Sequence, residues 1–119
     1  MPDATTTVRE LREAMGQFVR ERDWDQFHSP KNLVMGLSVE AAELMEHFLW
    51  IDLEASRAVV NDPAELGEVA DEMADVACYL LALSNTLGID LSEAIRGKLV
   101  KNALKYPVEK SRGRYRIEE

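Results

Sequence analysis

Four helix-start signals divide this sequence, and they constrain its fold more than any other feature does. Each signal is a residue whose side chain can cap a helix, and the four residues are Thr7, Ser29, Asp62 and Asp90. Apolar residues recur after the caps at spacings of three and four, and no stretch alternates in the manner of a β-strand. We therefore expect an all-α fold of the four-helix-bundle type.

Local signals also predict where the helices end. Gly88 ends the third helix and Pro107 follows the fourth, because glycine favours the position after a helix and the residue before a proline avoids the helical region. Residues 51–61 give an ambiguous pattern, which fits a loop with a short helical turn. The predicted helices are 7–22, 29–50, 62–87 and 90–106.

A length of 119 residues suits one domain. We assign residues 1–119 to a single domain, with a core at about 7–107 and a C-terminal tail at 108–119. The tail carries four basic residues, which are Lys110, Arg112, Arg114 and Arg116.

Charge and cysteine content exclude several classes of protein. The formal net charge is −8, which argues against a protein that binds the phosphate backbone of nucleic acids. Cys78 is the only cysteine, so no internal disulfide can form, as is usual in a reducing cytoplasm. We find neither a signal-peptide pattern nor a run of ~20 apolar residues, and we expect a cytoplasmic protein without a membrane segment.

Two aligned pairs of acidic residues are the strongest chemical signal in the chain. On a helical wheel, Glu40 and Glu43 share the one narrow polar arc of the second helix, which is otherwise largely apolar. Glu72 and Asp75 are aligned in the same way on the third helix, opposite its apolar side. Because the second helix has so little polar surface, we expect it to be packed on several sides.

Each pair taken alone is compatible with a solvated helix face. Together they favour a metal site, because neither has a lysine or arginine three or four residues away and acidic side chains are seldom buried unless they are paired or bind metal. Four carboxylates facing each other across a bundle would form a hard oxygen site suited to Mg²⁺ or Mn²⁺. A di-iron site fits poorly, because no Glu-x-x-His motif occurs.

The two pairs and their surroundings resemble the MazG-like all-α nucleoside triphosphate pyrophosphohydrolases. Glu40-x-x-Glu43, 28 intervening residues and Glu72-x-x-Asp75 look like the signature of that group, which also includes the dimeric dUTPases. Further segments are similar to its dCTP pyrophosphatase branch, and these are residues 22–28, 48–50, 105–108 and 111–113. The resemblance covers about Leu11 to Gly113.

The resemblance implies a reaction, a metal and an assembly. It implies hydrolysis of a nucleoside triphosphate between the α- and β-phosphates, which gives a monophosphate and pyrophosphate. It implies Mg²⁺ held by Glu40, Glu43, Glu72 and Asp75. It also implies a homo-oligomer, a dimer or tetramer, whose sites use residues of more than one chain. We expect a pyrimidine substrate, such as dCTP or a modified dCTP, and a role in cleansing the nucleotide pool.

The resemblance also assigns nucleotide-binding residues. In the dCTP branch, aromatic side chains at the positions of Trp24, Trp50 and Tyr79 line the base and sugar pocket, and we add His28 from the loop segment of Trp24. Met15 stands where that branch can carry a histidine that contacts the nucleotide, which leaves the base preference open.

Lys98, Asn102 and Lys105 share one stripe of the fourth helix. A basic face near a helix C-terminus is ordinarily solvated and favourable there. The resemblance favours phosphate contacts by Lys98 and Asn102, and we include Lys105 with them.

The remaining candidate groups near the acidic pairs have lesser roles. Glu43 is our first candidate for the general base. His47 is expected to be a neighbour of the site rather than a ligand, since it is not part of the family pattern. Cys78 is expected to pack as a small residue.

Two other functions remain open from the sequence. The chain could be a non-enzymatic helical oligomerisation or regulatory module with solvated acidic stripes, which predicts no effect of Mg²⁺ or nucleotide on thermal stability. It could instead be a diphosphohydrolase of the dUTPase-like type, which predicts activity on dUTP and dUDP.

Overall fold

The computed structural model describes residues 1–115, and every regular element in that range is helical. The predicted all-α class is confirmed, because no strand forms among these residues. The α-helices are α1 (Val8–Glu21), α2 (Pro30–Leu49), α3 (Leu53–Ala58), α4 (Pro63–Leu87), α5 (Leu91–Lys105) and α6 (Val108–Ser111). Short 3-10 turns occupy Asp3–Thr5, Asp25–Phe27 and Val59–Asn61.

All four predicted capping side chains accept the backbone hydrogen bonds expected of them. Each oxygen accepts from an N–H two or three residues further on, at 2.9–3.2 Å. Gly88 ends α4 in the left-handed conformation, with φ +65°, where a side chain would be strained. These local interactions explain why α1, α2, α4 and α5 lie so close to their predicted bounds.

Two segments outside the predicted helices are helical as well. α3 fills part of the ambiguous segment 51–61 and is capped by Asp52, whose Oδ1 accepts from the N–H of Ala55 at 2.8 Å. α6 forms inside the predicted tail, because the carbonyl of Pro107 accepts hydrogen bonds that begin a helical turn. Arg116, the last basic residue predicted for the tail, lies outside the described residues.

Contacts within the chain divide it into two compact units, Met1–Gly88 and a second unit that begins at Ile89. In the first unit, α4 packs against α2 and against α1. The enclosed apolar side chains of this unit come from those three helices, and they are Val19, Leu33, Val69 and Ala82. In the second unit, α5 and α6 have no fully buried side chain among the residues described.

Reciprocal hydrogen bonds attach α1 to α4. Arg12 Nε donates to Asn85 Oδ1 at 3.0 Å, and Asn85 Nδ2 donates to the carbonyl of Arg12 at 2.9 Å. A second guanidinium nitrogen of Arg12 donates to the carbonyl of Ser84 at 3.3 Å. These bonds fix the helix that leads into the aromatic loop at residues 22–28.

Much of the apolar surface of α2 stays exposed, so the expectation that this helix is packed on several sides is wrong for the single chain. Five of its large apolar side chains have 47–57% of their surface accessible, and they are Val34, Met35, Val39, Met45 and Leu49. The physical reason is that α4 is the main neighbour of α2 in the unit, and one neighbour covers only one side of a helix.

No single helix in residues 1–115 combines the length and apolar character needed to cross a membrane. The pair α4 and α5 meets that requirement of length and composition only when the two helices are counted together as one bent span.

Candidate active site

The helices α2 and α4 run antiparallel, so contacts between them join residues with rising numbers on α2 to residues with falling numbers on α4. The pairs that show this are Gly36 with Tyr79, Glu40 with Asp75, and His47 with Glu65. The acidic stripe of α4 therefore faces α2.

Glu40, Glu72 and Asp75 form what we call the acid cluster of this helix pair. One carboxylate oxygen from each residue lies within 4.8 Å of the others. Glu40 and Glu72 are half-buried, and Asp75 is exposed. The structure thus brings Glu40, Glu72 and Asp75 together, and their role as metal ligands stays a prediction.

Glu43, the fourth residue, lies beside the acid cluster with an exposed side chain. Burial raises the pKa of Glu40 from 4.5 to about 7, with help from the neighbouring carboxyl group of Glu43 and from the negative charges of Asp75 and Glu72. Burial also raises the pKa of Glu72, followed in effect by the charges of Glu43 and Asp75. The arrangement therefore opposes full ionisation of the cluster unless a cation is present.

Two carboxylate oxygens in the cluster have no partner. Oε2 of Glu40 and Oε2 of Glu72 are out of contact with solvent and accept no hydrogen bond. Buried polar atoms are almost always paired, because burying one without a partner is costly. A divalent cation with hard oxygen ligands would give both atoms a partner and offset the negative charge, so the donor set fits Mg²⁺ or Mn²⁺.

The apolar side of α4 faces away from the acid cluster. Leu66, Met73 and Leu80 are 38–57% exposed, while the unpartnered oxygen of Glu72 is buried. In a monomeric globular protein, the carboxylates of a helix usually face solvent and its leucines are usually buried. The acidic side of α4 thus packs against α2, whereas three large apolar side chains on its other side remain 38–57% exposed.

Sequence reasoning missed a second polar contact between the two helices. Nδ1 of His47 lies 2.8 Å from Oε1 of Glu65, and Glu68 lies within the same group of potential ligand atoms. The hydrogen bond to Glu65 raises the pKa of His47, although burial of the imidazole acts in the other direction. A signal was present, because Glu65 precedes Glu68 and Glu72 at helical spacing on one stripe.

A defined turn at the end of α1 positions Trp24. Asp23 adopts a left-handed conformation with φ +53°, and its N–H donates to the carbonyl of Arg20 at 3.0 Å. The N–H of Trp24 donates to the carbonyl of Val19, also at 3.0 Å, which completes a Schellman motif. The Trp24 ring meets Phe18 edge-on, with 5.8 Å between ring centroids. The turn thus presents an exposed aromatic ring.

The other residues predicted to line the nucleotide pocket lie beside different parts of α2, from its start to its C-terminal end. His28 is half-buried, with its ring 6.5 Å from that of Trp24. Tyr79 lies beside Gly36, whereas Trp50 is 85% exposed at the C-terminal end of α2. Trp50 lies fourteen positions after Gly36, which corresponds to roughly 21 Å along a helix. One chain therefore does not bring Trp50 and Tyr79 into the same pocket.

Lys98, Asn102 and Lys105 lie on α5, in the second unit. The two lysines are exposed, and Nζ of Lys105 lies 5.3 Å from the centre of the Tyr106 ring. The proposed contact of these residues with phosphate stays a prediction.

Cys78 is half-buried on α4. Burial raises the pKa of its thiol, and the charge of Asp75 acts in the same direction. The protonated thiol is a poor nucleophile, in keeping with the packing role expected for this residue.

Known proteins are similar to this chain in sequence and in fold. The MazG-like family model matches residues 35–116. The chain is 37% identical over 107 residues to dCTP pyrophosphatase 1 of Bos taurus and 35% identical over 106 residues to dCTP pyrophosphatase 1 of Homo sapiens. These matches cover 90% and 89% of this chain, which spans 63% and 62% of the length of the two relatives.

A crystal structure of a pyrophosphatase from Archaeoglobus fulgidus has a TM-score of 0.79 to this chain and is 36% identical to it. The likeness covers 90% of this chain and 98% of that one. The family match contains both acidic pairs, and the identity extends far beyond them into the surrounding helices. Agreement over so much of the sequence and fold leads to one conclusion: the chain belongs to the MazG-like family.

Proposed function

We propose that this protein is a Mg²⁺-dependent nucleoside triphosphate pyrophosphohydrolase, which cleaves a (d)NTP into a (d)NMP and pyrophosphate. One observation carries the proposal: Glu40 and Glu72 each hold a buried carboxylate oxygen without a partner, in a chain of the MazG-like family. The relatives named dCTP pyrophosphatase support a pyrimidine substrate, such as dCTP or a modified dCTP, and a role in cleansing the nucleotide pool.

Four residues are proposed to hold the metal, and they are Glu40, Glu43, Glu72 and Asp75. Mg²⁺ held by these residues would neutralise phosphate oxygens and lower the pKa of a coordinated water molecule. Such a cation is needed electrostatically, because the chain carries a net charge of −8 and its substrate is itself a polyanion.

Glu43 is the candidate general base. Its side chain is exposed to solvent water, and the pKa effects on Glu40 and Glu72 show that it lies next to both. It would accept a proton from the water molecule that attacks the α-phosphorus. Phosphoryl transfer depends mainly on positioning and charge stabilisation, so no serine, cysteine or histidine nucleophile is required.

The active protein is proposed to be a homo-oligomer, either a dimer or a tetramer. Support comes from the large apolar side chains that α2 and α4 leave exposed, such as Val39 and Met73. Because Trp50 lies too far along α2 to join Tyr79 within one chain, a second copy would supply it. The base and sugar pocket would then be lined by Trp24, His28, Tyr79 and a Trp50 from another copy, with base stacking worth ~1–3 kcal/mol.

Basic and amide side chains of α5 are proposed to bind the phosphates. Lys98, Asn102 and Lys105 lie on one stripe of that helix, so the three side chains could reach the same phosphate group. Ammonium and amide N–H groups are suitable donors to phosphate oxygens.

Product analysis tests the proposed reaction. Purified protein with Mg²⁺ is incubated with a panel of dNTPs that includes dCTP, modified dCTPs and dUTP, together with dUDP. Pyrophosphate and the nucleoside monophosphate are the expected products of the triphosphates. Release of orthophosphate and a diphosphate would contradict the proposal, and hydrolysis of dUDP would indicate the dUTPase-like alternative.

Two matched pairs of variants test the site. Glu43→Gln and Asp75→Asn should abolish turnover, while Glu46→Gln and Asp71→Asn, on exposed positions of the same helices, should retain it. Helix content measured by circular dichroism controls for folding. Unchanged turnover in both site variants would reject the assignment.

A melting series separates the enzyme from the non-enzymatic alternative. Mg²⁺ together with a non-hydrolysable dNTP should raise the melting temperature, because ligands of the native state stabilise it by mass action. No shift with either ligand would favour a helical module without catalytic function. Light scattering on the same samples gives the oligomeric state, and a monomeric active protein would overturn the proposed sharing of sites.

A further inference from the structure

Gly36 has no room for a side chain, and the obstacle is Tyr79. A Cβ built on Gly36 would lie 2.7 Å from Cζ and 3.0 Å from Cδ1 of the tyrosine ring, with Cε1 between them closer still. These three atoms form one edge of the ring, including the carbon that carries the hydroxyl group. The ring of Tyr79 therefore lies directly against the backbone of α2, at a place where any side chain on α2 would displace it.

This contact lies next to the acid cluster on both helices. Gly36 precedes Glu40 by four residues on α2, and Tyr79 follows Asp75 by four residues on α4. Residues four apart occupy adjacent turns on the same face of a helix. Since one turn rises ~5.4 Å, Tyr79 lies about one turn along α4 from Asp75. If the acid cluster holds the metal-bound α-phosphate, the sugar that follows this phosphate would come close to the Tyr79 ring.

We infer that Gly36 is a specificity-determining positioning residue, which seats the Tyr79 ring against α2 and thereby sets the width of the nucleoside side of the cleft. This inference rests on the proposed function. Gly36 itself touches no substrate and acts through the ring. This positioning role also explains why α2 contains a glycine, although glycine in a helix interior is less favourable than alanine.

The test is Gly36→Ala, with Gly67→Ala as the matched control. Gly67 lies within α4, and a Cβ there would meet no atom within 4 Å. Both substitutions improve helix propensity equally, but only the first displaces Tyr79. We expect Gly36→Ala to raise KM for the preferred dNTP by about tenfold and to change the preference between dNTP and NTP. We expect kcat to change far less, and the affinity for Mg²⁺ measured calorimetrically without nucleotide to stay the same.

A double-mutant cycle distinguishes positioning from a general loss of structure. If Gly36 acts through the ring, Gly36→Ala should change neither KM nor sugar preference further in a Tyr79→Ala background, where the obstacle is gone. The double variant also relieves the clash, so it keeps the test open if the single variant folds poorly.

Each outcome decides the matter. Equal KM values for Gly36→Ala and the wild type would overturn the inference, as would a further KM increase in the Tyr79→Ala background. A fall in Mg²⁺ affinity would also overturn it, by placing the effect at the acid cluster. Failure of the wild type to hydrolyse any dNTP would instead remove the proposed function, and this inference with it.

Discussion

Glu40 on α2 and Glu72 on α4 meet across the helix interface, and each keeps one carboxylate oxygen that is shielded from solvent and unpartnered. The free energy of this contact depends on protons and cations, because both groups have raised pKa values. Ionisation of the pair in the metal-free protein opposes the packing of α2 on α4, whereas a bound cation would favour it. Stability and metal binding are therefore expected to be linked.

The metal-free protein should lose stability as the pH rises. The pKa of Glu40 is raised from 4.5 to about 7, so its contribution is fully present below pH 4.5 and is lost as the pH approaches 7. The pKa of Glu72 is also raised, so its contribution to stability is lost in the same direction of pH. The pKa of His47 is raised from 6.5, so its contribution to stability is lost as the pH rises above that value. Melting temperatures in EDTA should fall between about pH 5 and pH 8. A flat profile would contradict the raised pKa values, and added Mg²⁺ should reduce the fall.

Glu40→Gln should separate stability from function. Removing one negative charge from the cluster should raise the melting temperature of the metal-free protein at pH 8, because repulsion and the cost of burying a carboxylate are both reduced. The same variant should lose the stabilisation by Mg²⁺ and the pyrophosphohydrolase activity. Glu46→Gln, at an exposed position of the same helix, should alter neither property. A lower metal-free melting temperature for Glu40→Gln at pH 8 would show that the charge is not the destabilising feature.

His47→Gln should weaken the attachment of α2 to α4. The variant loses the bond between Nδ1 and Oε1 of Glu65, which is strongest when the imidazole is protonated. The fall in melting temperature should therefore be larger at pH 6 than at pH 8. In a Glu65→Gln background, the same substitution should cost much less, as expected of a direct pair. Equal losses in both backgrounds would show that His47 acts independently of Glu65.

Asp23→Gly should stabilise the protein. Asp23 has φ +53° at the end of α1, a conformation that costs a residue with a Cβ free energy and costs glycine little. We expect a gain of roughly 0.5–1 kcal/mol in the free energy of unfolding, reduced by loss of the side-chain bond from Gln26. Chemical denaturation measures it. The reciprocal change Gly88→Ala, at φ +65°, should destabilise by a similar amount, and stabilisation by that change would refute the argument.

Local sequence patterns determined most of the helix boundaries and the composition of the candidate site. Caps such as Ser29 and stops such as Gly88 act through hydrogen bonds and backbone conformations within a few residues, so they can be recognised without knowledge of the fold. Spacing along a single helix is local too, which is why the alignment of Glu72 with Asp75 was predictable.

Only the tertiary structure decided which helix faces meet. It put the acidic stripe of α4 against α2 and left Met73 exposed, seated Tyr79 on Gly36, and paired His47 with Glu65. Such contacts join residues far apart in the chain, and they depend on the register and rotation of two packed helices. A helical wheel fixes the angles within each helix but contains no information on the position of its neighbour.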